Sequence, residues 1–96
     1  MIKGTFWLEE KSDGGVTIWI EDYKVEAFDG ADYEWCYSLD AANRRKLTDI
    51  LSRSNSGSLE QLIAAEFGIH LDRQSPKLWL DKNGIEYEFF SWVHYN

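Results

Sequence analysis

The chain has 96 residues, 44% of them hydrophobic, with one Pro and no low-complexity tract. This composition excludes a disordered chain and predicts one globular domain, residues 1–96, with one modest core. The 17 acidic and 10 basic side chains give a net charge of −7, which disfavours free nucleic acid as a ligand and favours a basic protein.

The sequence contains no segment typical of a membrane protein. No apolar run approaches the ~20 residues of a membrane helix, and the N-terminal residues lack the apolar centre of a signal peptide. We therefore expect a cytoplasmic protein that does not contact membranes. Cys36 is the single cysteine, and we expect it to be a small buried hydrophobe.

The first third of the chain predicts three antiparallel strands. Residues 2–10 and 16–21 alternate apolar and polar side chains, and the loop at residues 12–15 contains Asp13, Gly14 and Gly15. The alternation slips by one residue after Asp22, which is typical of a β-bulge. Asp29-Gly30 predicts a second hairpin turn before a third strand at residues 32–37.

The middle of the chain changes to a helical period. Asp40 or Ser38 can cap a first helix, and its apolar stripe consists of Leu39, Leu47, Ile50 and Leu51. Ser58 and Gln61 fit a capping box before a second stripe, which consists of Leu59, Leu62, Ile63 and Phe67 and ends at Gly68. Ser75-Pro76 precedes a short helix at residues 77–82, which Asn83-Gly84 closes.

Residues 85–95, IEYEFFSWVHY, contain no Gly or Pro and predict the last strand. Alternation places Ile85, Tyr87, Phe89, Val93 and Tyr95 on one side, and Glu86, Glu88, Phe90 and Trp92 on the other. We expect this strand to lie beside the first strand, because its apolar content suits an interior position in the sheet.

The element order β-β-β-α-α-short α-β predicts an α+β domain. Its four-stranded, largely antiparallel sheet has the helices packed on one face. The aliphatic and aromatic side chains of the first two strands that meet the helices are then Ile2, Phe6, Leu8, Val16, Ile18 and Ile20.

The uncovered face of this sheet is both aromatic and acidic. Our candidate partner-binding residues on it are Trp7, Glu9, Trp19, Glu21, Glu86, Glu88, Phe90 and Trp92. Cross-strand aromatic pairs alone stabilise a sheet by ~0.2–1 kcal/mol each, so the rings are explained without any partner. The same rings, bordered by carboxylates, are also typical of a docking surface for Lys and Arg side chains.

Catalytic and metal-binding arrangements are weakly indicated. Glu66, His70 and Asp72 could form a metal-ligand trio, but the expected helix stop at Gly68 separates them. His94 could be a general base, yet no Ser or Cys has a spacing that implies pairing with it. No Gly-rich phosphate loop, C-x-x-C or H-E-x-x-H is present. We therefore expect a binding protein without catalytic residues, metal or cofactor.

Three segments carry a resemblance to known proteins: YEWCYSLDAANRRKLTDIL at residues 33–51, GSLEQLIAAEFG at 57–68 and NGIEYEFFSW at 83–92. Their order resembles small acidic bacterial proteins, some of which look like the immunity proteins of secreted toxins, including contact-dependent inhibition systems. The resemblance implies a protein that neutralises a basic toxin, such as a nuclease, and it assigns no site residue. The alternative is a self-associating structural domain whose aromatic face is a homodimer interface.

Overall fold

The computed structural model describes residues 4–25, 31–67 and 75–94. The elements are β1 (Gly4–Glu10), β2 (Val16–Val25), β3 (Ala31–Leu39), α1 (Ala41–Leu51), α2 (Leu59–Phe67), α3 (Ser75–Lys82) and β4 (Glu88–His94). This order confirms the α+β class. The predicted turn at Asp29-Gly30, the helix end at Gly68, and Ile2 and Tyr95 at the predicted strand ends lie outside the described residues.

The four strands form one antiparallel sheet in the order β1-β2-β3-β4. The loop between β1 and β2 uses the predicted turn residues: Gly14 has φ 89°, and the Asp13 carboxylate accepts a hydrogen bond from the Gly15 N–H at 2.8 Å. The register of β2 against β3 shifts between Asp22 and Val25, which confirms the predicted bulge.

The expectation that the last strand lies beside the first is wrong. β4 pairs with β3 at the edge of the sheet, starting with Ser38 opposite Glu88. The helical segment leaves the sheet after β3 and returns at the same end, where the Asn43 side-chain oxygen accepts a hydrogen bond from the Glu86 N–H at 2.8 Å. The end of β3 is therefore the nearest position at which the returning chain can pair.

Several predicted element bounds shift by a few residues. Leu39 is the last residue of β3 and not part of the α1 stripe, because Asp40 is the helix cap and has an extended backbone (φ −76°, ψ 177°). The Asp40 carboxylate accepts a hydrogen bond from the Asn43 N–H at 2.8 Å, so Asp40 and not Ser38 caps α1. β4 begins at Glu88, and Ile85 precedes it as a buried core residue.

The remaining helix boundaries follow from local hydrogen bonds. The predicted capping box of α2 is confirmed: the Ser58 N–H donates to the Gln61 side chain at 2.8 Å, and the Gln61 N–H donates to the Ser58 hydroxyl at 3.2 Å. α3 ends at Lys82, and the turn that follows contains a left-handed Gly84 with φ 68°. There the Ile85 N–H donates a hydrogen bond to the Leu80 carbonyl at 3.0 Å.

One hydrophobic core lies between the sheet and the helices. Its buried members are Val16, Ile18, Ile20, Trp35, Tyr37, Leu39, Leu47, Leu51, Leu62, Ile63, Leu80 and Ile85, and Phe6 and Leu8 pack against them. Burying one such large side chain is worth about 1.5–3 kcal/mol. Within the described ranges, no helix has the length and apolar content needed to cross a bilayer. The core uses one face of the sheet, and the exposed rings of Trp7, Phe90 and Trp92 lie on the other.

Candidate protein-binding face

The sheet surface opposite the helices, which we call the open face, is crossed by three rows of side chains. Because the strands are antiparallel and in register, residues directly opposite each other point to the same side. The central row is Trp7, Trp19, Cys36 and Phe90. The row on one side is Glu9, Thr17, Ser38 and Glu88, and the row on the other side contains Glu21, Glu34 and Trp92.

Four rings of the open face form a continuous aromatic stack. Trp7 stacks on Trp19 with ring centroids 6.0 Å apart and planes 7° from parallel. Trp19 stacks on Trp92 at 5.5 Å, and Trp92 stacks on Phe90 at 6.2 Å. Such ring pairs contribute about 0.5–1.5 kcal/mol each beyond the area that they bury. The stack therefore joins β1, β2 and β4 through side chains alone.

Cys36 occupies the floor beneath this stack. It lies on β3 between Trp19 and Phe90, and it is only 2% exposed although the helices are on the opposite face. Burial raises the pKa of its thiol above the ordinary value, so the side chain is an uncharged thiol at neutral pH. The expectation of a small buried hydrophobe at this position is confirmed.

The rings of the stack remain accessible to a partner. Trp7 is 40% exposed, Phe90 45% and Trp92 43%. Trp19 is partly buried between its neighbours, and its indole N–H donates a hydrogen bond to a Glu9 carboxylate oxygen at 3.1 Å. These rings therefore pack against one another across the strands, and they also leave aromatic surface outside the core.

The carboxylates lie on both sides of the central row. Glu9 and Glu88 belong to one flanking row, and Glu21 belongs to the other. Glu34 joins Glu21 in that row, and together with Trp7, Glu9 and Trp19 it lines a shallow pocket of about 410 Å³. Our candidate set omits Glu34, although the alternation of β3 with an antiparallel register would have placed it on this face.

The structure places Glu86 outside the three rows of the open face. It precedes β4, so strand alternation does not apply to it, and its N–H is bonded to Asn43 of α1. It lines a second pocket, of about 230 Å³, at the end of the sheet together with Glu88, Asp40 and Lys11. Glu86 is thus beside the open face and not on it.

Basic side chains contact carboxylates on the opposite side of the domain. The Arg44 guanidinium binds both carboxylate oxygens of Glu10, with Nη2 3.0 Å from Oε2, and this pairing lowers the pKa of Glu10. The Lys77 Nζ lies 3.0 Å from Oδ2 of the Asp81 carboxylate. The three rows of the open face contain four glutamates and no Lys or Arg, so their charge favours an approaching cation.

The catalytic alternatives rest mainly on residues that the structure does not describe. Within the described part of the chain, no cluster of three or more His, Cys, Asp or Glu side chains could hold a metal ion. His70 and Asp72 of the hypothetical metal trio, and the side chain of His94, lie outside the described residues. What the open face offers chemically is apolar aromatic contact next to carboxylates.

Comparison with protein-family models, with curated proteins and with solved structures found no match to this chain. The resemblance to immunity proteins therefore stays a prediction. The geometry of the open face is the remaining basis for a functional conclusion.

Proposed function

We propose that the chain is a small acidic cytoplasmic binding protein that neutralises a basic protein by stoichiometric occlusion. The partner we propose is a toxin domain, such as a nuclease, as the sequence resemblance implies. One observation carries the binding role: an aromatic stack with three rings 40–45% exposed lies on the same sheet face as four glutamates of the two flanking rows. Exposed Trp side chains are frequent binding hot spots, and carboxylates pair with Lys and Arg.

Charge supports a heterologous partner over a second copy. The protein carries a net charge of −7, and each copy would bring the same four glutamates to a face-to-face dimer. Like charges opposed at an interface cost free energy, whereas a basic partner is attracted before contact. The side chains that bind phosphate in a toxin would be occupied by Glu9, Glu21, Glu34 and Glu88, so the toxin could no longer hold its substrate.

Affinity capture from the native host, followed by reconstitution with the captured protein in pure form, tests this proposal. We expect a basic protein that binds one-to-one by titration calorimetry and loses its activity at one equivalent. Glu88→Gln should weaken binding, while Glu60→Gln, the same change on exposed α2, should not. An acidic or neutral partner, or equal effects of the two changes, would refute the proposal.

Light scattering of the pure chain tests the homodimer alternative. A monomer at micromolar concentration agrees with a vacant partner site. A dimer that dissociates on Trp7→Ala substitution would instead assign the aromatic stack to self-association.

A further inference from the structure

The outer edge of β4 is a second unusual feature of this domain. Among the described strands, β4 pairs with β3 alone, so one row of its backbone N–H and C=O groups has no strand partner. The Lys11 N–H donates to the Gly15 carbonyl, and the alternation of hydrogen-bonded pairs from there across the four strands turns the Phe90 N–H towards Cys36 on β3. Because alternate residues of a strand point their amides in opposite directions, the N–H groups of Phe89, Ser91 and Val93 point outwards.

In the described part of the chain, this edge has none of the sequence features with which proteins usually prevent strand addition. Exposed edges are commonly protected by Lys, Pro, a bulge or an inward-pointing charge. β4 pairs with β3 in an unbroken register, from Ser38–Glu88 to Asp32–His94. Residues 89–93, FFSWV, contain no charge and no Pro. The edge strand on the other side, β1, carries Glu9 and Glu10 next to each other, and Arg44 binds Glu10.

Both faces of β4 expose aromatic surface at this edge. Phe90 and Trp92 belong to the open face and are 45% and 43% exposed. Phe89 points to the helical side, where its ring centroid lies 5.3 Å from that of Tyr37. Its side chain nevertheless remains 45% exposed. An added strand would therefore find backbone hydrogen bonds at the edge and apolar contacts both above and below it.

We propose that β4 accepts an extended segment of the basic partner as a fifth strand of the sheet. This inference rests on the proposed function, and it names the mode of docking. A Lys or Arg opposite or diagonal to Glu88 would pair with its carboxylate, and the apolar stems of such residues would cover Phe90 and Trp92. Apolar residues on the other side of the segment would cover Phe89. The segment that fits is thus a strand with alternating basic and apolar side chains.

A short peptide provides the direct probe: an end-capped chain of about eight residues in which Lys and Val alternate, enough for one strand. Amide exchange measured by NMR should show slower exchange at Phe89, Ser91 and Val93 when the peptide is added. N-methylation of every second residue of the peptide removes the N–H donors along one of its two edges. When the methylated edge is the one that faces β4, the slower exchange should disappear. When the methylated residues are the alternate set, whose N–H groups point away from β4, the slower exchange should remain.

The variant Ser91→Pro removes an outward donor without removing a hydrogen bond to β3. We expect it to weaken peptide binding at least about tenfold, while Ser91→Ala binds as the wild type does. Thermal unfolding of Ser91→Pro should stay cooperative. If it does not, the two N-methylated peptides with the wild-type chain decide the question.

The outcomes separate this inference from the proposed function. If the peptide changes Trp fluorescence but leaves the edge amides unprotected and binds Ser91→Pro normally, the edge inference is refuted and the face remains a binding surface. If the peptide fails to bind at millimolar concentration, the edge inference is also refuted, whatever the host partner proves to be. If Ser91→Pro instead dissolves a dimer, the fifth strand comes from a second copy and the assigned partner is wrong.

Discussion

Trp19 and Trp92 stack at a ring distance of 5.5 Å although their strands, β2 and β4, are not neighbours. The two indoles reach towards each other above β3, where the small side chain of Cys36 leaves room for them. Next-nearest strands are separated by about 9–10 Å, so only large side chains over a small one can make this contact. The contact links the edge strand to the sheet interior and shapes the open face.

Enlarging Cys36 should separate these two rings. We expect Cys36→Leu to lower the free energy of unfolding by about 1–3 kcal/mol, because the added methyl groups overpack a filled space. The Trp–Trp exciton signal in circular dichroism should weaken at the same time. Cys36→Ala adds no atoms to the space that the two indoles occupy, so this variant should retain the exciton signal. An unchanged exciton signal in Cys36→Leu would contradict the stacking geometry.

Removing one ring should have a different effect on stability at different positions in the stack. Among the described side chains, Trp19 contacts two rings and Glu9, whereas Trp7 contacts one ring and is 40% exposed. We expect Trp19→Ala to cost about 2–4 kcal/mol of unfolding free energy and Trp7→Ala about 1–2 kcal/mol. Urea unfolding measures both values. Equal costs would mean that Trp19 is no better packed than Trp7.

The charge of the open face should be visible in fluorescence quenching. Trp7 and Trp92 are exposed beside glutamates, so the cation Cs⁺ should quench the chain more effectively than the anion I⁻ at equal ionic strength. The preference should shrink in concentrated salt, because screening shortens the range of the field. Glu9→Gln with Glu21→Gln should reduce it, while Glu60→Gln serves as the control. A preference for I⁻ would show that cations are not attracted to this face.

Acid should remove the stabilising effect of the Asp40 cap. Hydrogen bonds from the Asn43 backbone and side chain, at 2.8 and 2.9 Å, hold the pKa of Asp40 below its ordinary value of 3.8. A carboxyl whose pKa is lowered by folding stabilises the protein above its unfolded pKa and loses this effect as the pH falls through the folded pKa.

The variant Asp40→Asn isolates this contribution, because Asn caps a helix without titrating. We expect the urea midpoint of the wild type to fall relative to that of Asp40→Asn as the pH drops below about 3.8. Glu10 and Asp81, whose pKa values are also lowered, titrate in both proteins and cancel in the comparison. Parallel midpoints over this range would show that the carboxylate charge does not matter.

The two turn glycines Gly15 and Gly84 should respond differently to substitution. A Cβ on Gly15 would lie 2.1 Å from the Leu39 carbonyl oxygen, whereas a Cβ on Gly84 would meet no atom within 4 Å. We expect Gly84→Ala to cost about 1–2 kcal/mol for its positive φ of 68°. Gly15→Ala should cost clearly more, because the β1–β2 loop must move away from β3. Thermal unfolding of the two variants checks the order.

The sequence by itself determined the features that depend on neighbouring residues. Strand alternation placed Trp7 and Trp19 outside the core, because the side chains of a strand change face at every residue. The capping box at Ser58 and the bulge after Asp22 are likewise local, since their hydrogen bonds span only a few positions.

Only the tertiary structure decided where β4 lies and what its aromatic residues contact. The hydrogen bond from the Glu86 N–H to the Asn43 side chain fixes the start of β4 beside the end of β3. The sequence does not predict this bond, because the two residues are far apart in the chain and meet only through tertiary packing. The same long-range pairing brings Phe90 opposite Cys36 and Trp92 opposite Glu34, and it leaves the outer edge of β4 without a partner among the described strands. Strand order depends on where the helical layer returns the chain to the sheet, and no short stretch of residues encodes that position.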